Sequence, residues 1–449
     1  MRSRCGVAAI LTATVLVAAA CAGDPSESEP TDGTSPGFAP VRESTAVAPV
    51  APPAGASTPP PAGLAGPEPV RIGVAMATTG RLAPRDGPVL DALQYAVRQV
   101  NASGGLRGRP LEIIYEDTRS ELNTAYQAAL RLVDRDVPVI FATCDPFFNR
   151  PILEEAGRAG VLVIIPCGPL PQPVRPLTFS AGTSAAAYGR AMAEHAAEAG
   201  FRSVATLVES DNDEATRQCD AFGSRFGELG GAVAYSFSFD RRWIAAQPVV
   251  GEDATALALS PIANFPMAVI CAAVGGSGAA FFGLLRTAGV TTPVLASAAL
   301  DGAALRYEIP GHEPLVVISE ASTYGDDPSN QVNAYFASII TGDLRREPAG
   351  DDQDRVERGE IEATVDDRVG WAVTGAEALW IFIRAAQRTG SLDPIVLAAD
   401  IERFDDVDLW MDSATFGPNR HAVGGRALRV IRHDGGASRV VEVRIPSEP

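Results

Sequence analysis

The sequence lacks the short motifs by which many enzymes are recognised. It contains no G-x-S-x-G elbow, P-loop, H-E-x-x-H helix or dinucleotide-type G-x-G-x-x-G at the end of a predicted strand. There is no C-x-x-C pair, and the four histidines, His195, His312, His421 and His433, are scattered without metal-ligand spacing. These absences argue against an enzyme and against a zinc site. We therefore expect no catalytic residue, no metal and no cofactor.

Basic residues are fewer than acidic residues. The chain has 37 basic and 55 acidic residues, which gives a formal net charge of −18. Proteins that bind nucleic acid neutralise phosphates with clustered cations, so this balance argues against nucleic acid as a partner. It indicates little else, because acidic surfaces commonly serve solubility.

Long apolar runs are missing after the amino-terminal segment, so no membrane span is predicted there. The first residues combine two arginines, a short apolar stretch and small residues, the layout of a secretory signal over residues 1–20. The string VAAAC resembles the lipobox of bacterial lipoproteins. This resemblance predicts that Cys21 is lipidated and anchors the protein outside the cytoplasm, on the cell membrane. Ordinary cleavage after an alanine, which would leave a freely secreted protein, is the alternative.

Residues 21–67 are nearly all Pro, Ala, Ser, Thr, Gly and acid, including APVAPPAGASTPPPAGLAG. Such a segment has too few apolar side chains to offset the entropy lost on ordering, and its prolines favour extended conformations. We interpret it as a disordered tether. A remnant without a role would have the same composition.

The remaining body alternates apolar, β-branched runs with segments of helical period. VRIGVAM, for example, is followed by a loop and then by Leu90, Leu93, Val97 and Val100 on one helical face. This alternation predicts an α/β fold with parallel strands buried on both faces. Ligands bind such sheets beyond the carboxyl ends of the strands. The corresponding loops follow Met76, Thr143, Pro166, Val208, Val274 and Ala298.

One stretch, NASGGLRGRPLEII (101–114), joins the end of a helix to a strand through several glycines. Together with VRIGVAMATTG before it and YEDTRSELNTAYQAALRLV after it, it resembles the periplasmic leucine/isoleucine/valine-binding protein family. AEHAAEAGFRSVATLVES and WAVTGAEALWIFIRAAQRTG continue the resemblance, which covers roughly residues 69–443. It implies a type I periplasmic binding protein, with two Rossmann-like lobes joined by a three-crossover hinge. Such proteins capture a small molecule between their lobes and present it to the permease and ATPase subunits of an ABC importer.

The resemblance also suggests where the lobes begin and end. We expect residues 68–183 and 322–402 in lobe 1, and 184–321 and 403–449 in lobe 2. Residues 344–368 are dense in both charges and lack apolar period, so we expect a charged surface insertion within lobe 1. We also expect a monomer.

In amino-acid binders of this family, the loops after the third and fourth strands hold the ligand carboxylate, and an acid of the second lobe holds its ammonium group. Eight positions match these contacts and the aromatic contacts of the family: Cys144, Asp145, Gly168, Leu170, Asp86, Asp213, Gly275 and Asp301. Asp301 lies two positions after Ala299, the residue nearest to the family's ammonium-binding acid. A ligand carboxylate 4 Å from ionised Asp145 would be repelled by about 4 kcal/mol at an effective dielectric near 20. We therefore expect a cationic, or a neutral hydroxylated or amide, ligand instead of a simple branched-chain amino acid. A helix cap or a solvated loop position is the alternative for each aspartate.

Four cysteines remain after the signal and the lipidation site, and outside the cytoplasm an even number suggests disulfides. Of the three pairings, we predict Cys144–Cys167 and Cys219–Cys271, because a bridge between lobes would lock the hinge that the resemblance implies. Buried free thiols are the alternative.

Two classes of function therefore follow from the sequence. In the first, the protein is a transport receptor for a small polar molecule. In the second, it keeps the scaffold but serves as a ligand-sensing or degenerate binding module that interacts with a membrane partner.

Overall fold

The computed structural model describes residues 68–170, 172–250, 252–302, 309, 311–341 and 368–448. The predicted signal, Cys21, the tether and the charged insertion, except for its last residue Arg368, lie outside these described residues. No helix in the described ranges is both long enough and apolar enough to cross a membrane.

Two sheets organise the described residues. The strands are, in chain order, β1 (Val70–Met76), β2 (Leu111–Asp117), β3 (Val139–Ala142), β4 (Leu162–Ile165), β5 (Thr178–Ser180), β6 (Ser203–Glu209), β7 (Ala232–Phe239), β8 (Ala268–Cys271), β9 (Val294–Ser297), β10 (Leu315–Ser319), β11 (Val407–Asp408), β12 (Ser413–Gly417), β13 (Arg420–Gly424), β14 (Leu428–Asp434) and β15 (Ala437–Arg444). The first sheet has the order β11-β12-β13-β5-β4-β3-β1-β2, and the second has the order β15-β14-β10-β9-β8-β6-β7.

Helices cover the faces of both sheets. In chain order they are α1 (Ala83–Ala102), α2 (Leu122–Val133), α3 (Pro146–Ala159), α4 (Ala185–Glu198), α5 (Asp213–Glu228), α6 (Arg241–Val250), α7 (Glu252–Leu259), α8 (Gly278–Thr287), α9 (Asn330–Ile340), α10 (Thr374–Thr389) and α11 (Pro394–Ile401). The sequence accounts for several boundaries. Helix α3, for instance, begins after the capping Asp145 with proline at its first position, and ends at Gly160, whose φ is 72°.

The central strands of each sheet are short and wholly buried, as a parallel sheet covered on both faces requires. β3 and β4 in the first sheet, and β8 and β9 in the second, expose none of their residues. Strands β2, β1, β3, β4 and β5 pair in parallel, and so do β7, β6, β8, β9 and β10. The predicted two-lobed α/β architecture is therefore confirmed, with lobe 1 built on the first sheet and lobe 2 on the second.

Within the described ranges, the chain passes between the lobes three times. The first crossing (181–184) joins β5 to α4, the second (320–329) joins β10 to α9, and the third (425–427) joins β13 to β14. Helix α9 belongs to lobe 1, because the Tyr335 ring packs 5.3 Å from that of Tyr95 on α1. The predicted three-crossover hinge is thus present.

One predicted lobe boundary is wrong. We expected residues 403–449 in lobe 2, but β11, β12 and β13 extend the first sheet, where Ala422 of β13 pairs in parallel with Ser180 of β5. Only β14 and β15 belong to the second sheet. Lobe 1 therefore continues to Gly424, because the chain completes the edge of the first sheet before it crosses for the third time.

Each lobe has a core of buried side chains between its sheet and its helices. In lobe 2, side chains from the sheet, α7 and α8 form one cluster, in which Phe239 stacks on Phe281 at 3.9 Å between ring centroids. In lobe 1, helices α1 and α10 approach closely at Gly375, where an added Cβ would overlap the Val89 carbonyl oxygen. Only glycine allows this contact, which helps to hold α10 beside the hinge.

Candidate functional site

Buried polar side chains gather where the three crossings meet the ends of the strands. Among the buried polar atoms that have no hydrogen bond of ordinary geometry in the described part of the chain, one group belongs to six residues on the crossings or at the strand and helix ends next to them: Thr183 Oγ1, Tyr188 Oη, Asp301 Oδ1, Glu320 Oε2, Thr323 Oγ1, and Arg426 Nε and Nη1. We call these six residues the hinge cluster. Native proteins satisfy nearly all buried polar groups, so such a concentration marks a place adapted to a ligand or to solvent.

The members of the hinge cluster come from both the crossings and lobe 2. Thr183 lies on the first crossing, Glu320 and Thr323 on the second, and Arg426 on the third. Tyr188 is on α4, and Asp301 follows β9 in lobe 2. Glu320 is only 3% exposed. Because the cluster draws on all three crossings, its geometry depends on the position of the two lobes relative to each other.

Tyr188 and Glu320 are the electrostatic centre of the cluster. Burial raises the pKa of Tyr188 well above its ordinary value, and the nearby charges of Glu320 and Asp301 raise that pKa further. Arg426 partly offsets this effect. The Tyr188 hydroxyl is therefore held in its neutral form, able to donate or accept a hydrogen bond.

Asp301 joins the two lobes. Its Oδ2 accepts hydrogen bonds from Ser319 Oγ at 2.5 Å and from the backbone N–H of Gly370, in lobe 1, at 2.7 Å. Burial, with the neighbouring charge of Glu320, raises the pKa of Asp301 to about 7. Asp301 can therefore change its protonation state near neutral pH while its Oδ1 remains without a partner.

Arg426 ties the third crossing to the first and to lobe 1. Its Nη2 donates to the Ala181 carbonyl oxygen at 2.9 Å and lies 3.7 Å from Glu377 Oε2. Glu377 is fully buried on α10, and its Oε1 accepts from the backbone N–H groups of Trp410 and Met411 at 3.1 and 2.6 Å. Burial raises the pKa of Glu377 to about 7, although Arg426 opposes that shift.

A second contact between the lobes lies near Arg85 of α1. Gly275, in the loop after β8, has a φ of 73°, and a Cβ added to it would lie 3.6 Å from Arg85 Cδ. Arg85 also interacts electrostatically with Glu214 on α5 of lobe 2. Burial raises the pKa of Glu214, and Arg85 and Arg217 oppose the rise. The Arg85 side chain of lobe 1 thus lies near Gly275 and Glu214 of lobe 2.

A buried arginine connects the second and third crossings to lobe 1. Arg429 on β14 is 1% exposed and donates to both oxygens of Asp327 on the second crossing, at 3.0 and 3.1 Å. It also donates to Asp412 of lobe 1 at 2.6 Å. These two carboxylates raise the pKa of Arg429, outweighing its burial, so it remains charged. The geometry is that of a structural clamp.

Asp86, a predicted ligand contact, is hydrogen-bonded within lobe 1 through both of its carboxylate oxygens. Asp86 is fully buried in lobe 1, and it accepts hydrogen bonds from the backbone N–H groups of Ala77 at 2.8 Å and Cys144 at 3.1 Å. Burial raises its pKa. Both oxygens of Asp86 thus join the loops after β1 and β3, and a contact between Asp86 and a ligand stays a prediction.

Asp145 caps helix α3. Its Oδ1 accepts from the backbone N–H groups of Phe147 and Phe148 at 2.9 and 3.3 Å, which was the alternative interpretation of this residue. Cys144 is buried in a disulfide beside it, and Gly168 packs directly on the Cys144 backbone, where a Cβ would overlap the carbonyl oxygen. These three residues therefore lie together at one end of lobe 1, as predicted for neighbouring loops.

The other predicted contacts are dispersed. Leu170 packs against the lobe 1 core formed with α3 and does not join the hinge cluster. Asp213 is exposed in the first turn of α5, whose cap is Asn212. Gly275 contacts Arg85 across the lobes, and Asp301 alone among the eight predicted positions belongs to the hinge cluster.

Both predicted disulfides are confirmed. Cys144 pairs with Cys167 across the loops after β3 and β4, with Cα atoms 4.9 Å apart. Cys219 on α5 pairs with Cys271 at the end of β8, with Cα atoms 5.6 Å apart. Each bridge stays within one lobe, so neither restricts closure.

Outside the hinge cluster, the described surface of lobe 2 carries two cavities, of about 460 and about 440 Å³, and no residue of the hinge cluster lines either of them. In the described ranges no group of three or more His, Cys, Asp or Glu residues is arranged to hold a metal ion. The larger cavity is lined in part by Glu194, Arg225 and Arg444. These residues form ion pairs with one another, so their charges are largely neutralised by the protein itself.

Sequence reasoning missed Glu320, Tyr188, Thr183, Thr323 and Arg426. A signal was available for Glu320, because an acid directly follows the apolar run LVVIS of β10. The loops selected from the sequence ended after Ala298 and left out this last parallel strand. Arg426 and Tyr188 carry no comparable signal, since Arg426 lies on the third crossing and Tyr188 four residues past the first, and only the fold defines these crossings.

The fold is shared with several solved binding proteins. The leucine-binding protein LivK of Thermotoga maritima is 19% identical, with a TM-score of 0.61, and the match covers 84% of this chain and 99% of that protein. The Streptococcus pneumoniae protein LivJ, solved with isoleucine, is 16% identical, with a TM-score of 0.61 and coverage of 83% and 99%. An R. palustris solute-binding protein, solved with benzoate, is 15% identical, with a TM-score of 0.60 and coverage of 84% and 97%.

No curated protein matches the chain in sequence. The family described as periplasmic binding protein, however, matches residues 69–437, which include the first sheet, the second sheet except for nearly all of β15, all three crossings and the entire hinge cluster. The chain belongs to the periplasmic binding protein family.

Proposed function

We propose that this protein captures a small polar solute between its lobes, outside the cytoplasm, and delivers it to an ABC importer. The observation that carries the proposal is the hinge cluster, in which buried polar atoms from three crossings and lobe 2 lack partners within the described chain. Leaving each such group unpaired costs about 1–3 kcal/mol, which a bound solute would offset. A solute held there would contact both lobes and favour their closure.

A simple branched-chain amino acid is a poor fit. A ligand carboxylate commonly docks on backbone N–H groups at a helix N-terminus. At α3 the two N–H groups that face this position already donate to the Asp145 carboxylate, whose negative charge would repel a second one. We therefore do not expect leucine or isoleucine, which are named for two of the structurally similar proteins, to be the ligand of this chain.

Membrane attachment is part of the same proposal. Lipidation of Cys21 and a tether over residues 21–67 would keep a soluble carrier close to its permease. Labelling with a palmitate analogue should mark the wild-type protein and leave Cys21→Ser unlabelled. Label retained by that variant would contradict this anchor without affecting the proposed binding role.

Native mass spectrometry of the purified protein tests solute capture. We expect a co-purified small molecule that dissociates on unfolding, and a panel of amino acids, amines, polyols and amides should include compounds that raise the melting temperature. If leucine, isoleucine or valine raised it most, our assignment of ligand class would be wrong. If the folded protein bound nothing, a degenerate interaction module would replace the transport receptor as the better account.

A further inference from the structure

The chemistry of the hinge cluster points to the kind of solute, an inference that rests on the proposed function. We propose that Glu320, Asp301 and Tyr188 form a subsite for an organic cation bearing N–H groups, a protonated amine or a guanidinium. The ligand is accordingly a small monovalent cation, and not a zwitterion, an anion or a neutral polyol.

The unpaired atoms on this side of the cluster can all accept hydrogen bonds. Glu320 Oε2 and Asp301 Oδ1 are carboxylate oxygens without a hydrogen bond of ordinary geometry in the described structure, and the Tyr188 hydroxyl, which is 95% buried, is close enough to Glu320 to interact with it. With a neutral ligand bound, the negative charge of each of the two neighbouring carboxyl groups would disfavour ionisation of the other. An N–H-bearing cation supplies both the missing donors and the missing positive charge.

The charges around this subsite favour one positive charge on the ligand. Arg426, which acts on Tyr188, has its own acidic neighbour in Glu377, 3.7 Å away on α10. The charged groups Asp301, Glu320, Glu377 and Arg426 therefore sum to −2 when all four are ionised, and to −1 when one of the two acids with a pKa raised to about 7, Asp301 or Glu377, is protonated. A monocation reduces this excess, whereas a zwitterion leaves it unchanged. The unpaired Nε and Nη1 of Arg426 can meanwhile donate to a neutral oxygen elsewhere on the same ligand.

The subsite predicts proton release on binding. Four groups surround Asp301: Glu320 on the second crossing, Tyr188 on α4, Ser319 on β10 and the backbone N–H of Gly370 in lobe 1. Its pKa is raised to about 7, and a cation placed against it would lower that pKa. Affinity for the cation should therefore increase as pH rises from about 6 to 8, and calorimetry in buffers of different ionisation enthalpy should detect the released proton.

Differential scanning fluorimetry with three matched panels tests the inference. The panels contain small primary amines and guanidines, zwitterionic amino acids of the same length, and neutral polyols and amides. We expect stabilisation by members of the first panel only. Glu320→Gln should weaken binding of the best compound about tenfold to hundredfold, as expected for a lost charge-assisted hydrogen bond. Tyr188→Phe should weaken binding less, and Glu112→Gln, which changes an exposed pair with Arg71, should leave it unchanged.

The outcomes separate this inference from the proposed function. Stabilisation by zwitterions or neutral compounds alone would overturn the cation subsite and leave solute capture intact. Cation binding that survives both Glu320→Gln and Tyr188→Phe would also overturn the subsite. The absence of a hit from any panel would overturn both proposals. Melting temperatures of the unliganded variants establish that each one is folded.

Discussion

The Asp301 carboxylate of lobe 2 accepts a hydrogen bond from the backbone N–H of Gly370 in lobe 1, over 2.7 Å. Gly370 can make this contact because it has no side chain, since a Cβ there would overlap the Ala321 carbonyl oxygen and crowd Ser319 Oγ. Gly370→Ala should therefore disfavour the closed arrangement of the lobes. We expect at least a tenfold loss of ligand affinity and a larger radius of gyration by small-angle X-ray scattering. Gly417→Ala, where an added Cβ meets nothing within 4 Å, is the matched control.

The same carboxyl group predicts how stability depends on pH. The pKa of Asp301 rises from an ordinary 3.8 to about 7 in the folded protein. Between these values the folded protein holds a proton that the unfolded chain has released, so the stability from this group is present at low pH and lost as pH rises through 7. Thermal unfolding from pH 5 to 8 should therefore show a steeper decline for the wild type than for Asp301→Asn. Parallel curves would contradict this assignment.

The Arg429 clamp should be costly to break. Arg429→Met leaves the carboxylates of Asp327 and Asp412 without their buried cation, and we expect a loss of about 3–5 kcal/mol in the free energy of unfolding. Urea denaturation measures this loss. Arg71→Met removes a pair in which both side chains are about half exposed, and should change stability by no more than about 1 kcal/mol. Equal effects of the two substitutions would rule out a special role for the clamp.

Two substitutions at Asp145 distinguish a helix cap from a ligand contact. Asp145→Ala removes the acceptor for the Phe147 and Phe148 N–H groups and should cost about 1 kcal/mol of stability. Asp145→Asn keeps an acceptor at the cap and removes the charge, so stability should be nearly unchanged. If Asp145→Asn nevertheless weakens ligand binding severalfold, the original expectation of a direct contact is correct. Unchanged binding would limit the residue to its capping role.

The disulfides should stabilise the lobes separately. In the loop-entropy relation, bridges that close 23 and 52 residues contribute about 3.5 and about 4 kcal/mol. Replacing Cys144 and Cys167 together by serine should lower stability and also loosen the loops that carry Asp145 and Gly168, with weaker ligand binding as a result. Replacing Cys219 and Cys271 should lower stability with little effect on binding. The reverse pattern would contradict the placement of the first bridge beside the cleft.

Much of the fold could be predicted because parallel strands buried on both faces leave continuous apolar runs, such as VPVIFA and VLVII, that stand out from the helices between them. The disulfide pairing followed from the same framework. The return of β11, β12 and β13 to lobe 1 could not be predicted, because these edge strands are short and partly exposed. Their pairing depends on contact with β5, about 240 residues earlier.

Side-chain direction limited the prediction of the site. Asp86 and Glu320 are both acids near strand ends, yet Asp86 turns inward to bond two loop amides, whereas one oxygen of Glu320 has no partner in the described structure. Which of these happens depends on the backbone N–H groups available within reach, and those are fixed only by tertiary structure. Sequence spacing could therefore locate the loops without identifying which of their polar side chains are left without a partner in the described structure.

The affinity of Thr323→Val for the co-purified solute tests the central claim most directly. Thr323 is fully buried and its Oγ1 has no hydrogen bond in the described structure, so the isosteric valine should leave the unliganded protein as stable as the wild type, or more stable. If the hinge cluster binds the solute, affinity measured by calorimetry should fall about tenfold. Unchanged affinity in folded Thr323→Val and Glu320→Gln proteins alike would contradict the claim that the solute is bound at the hinge cluster.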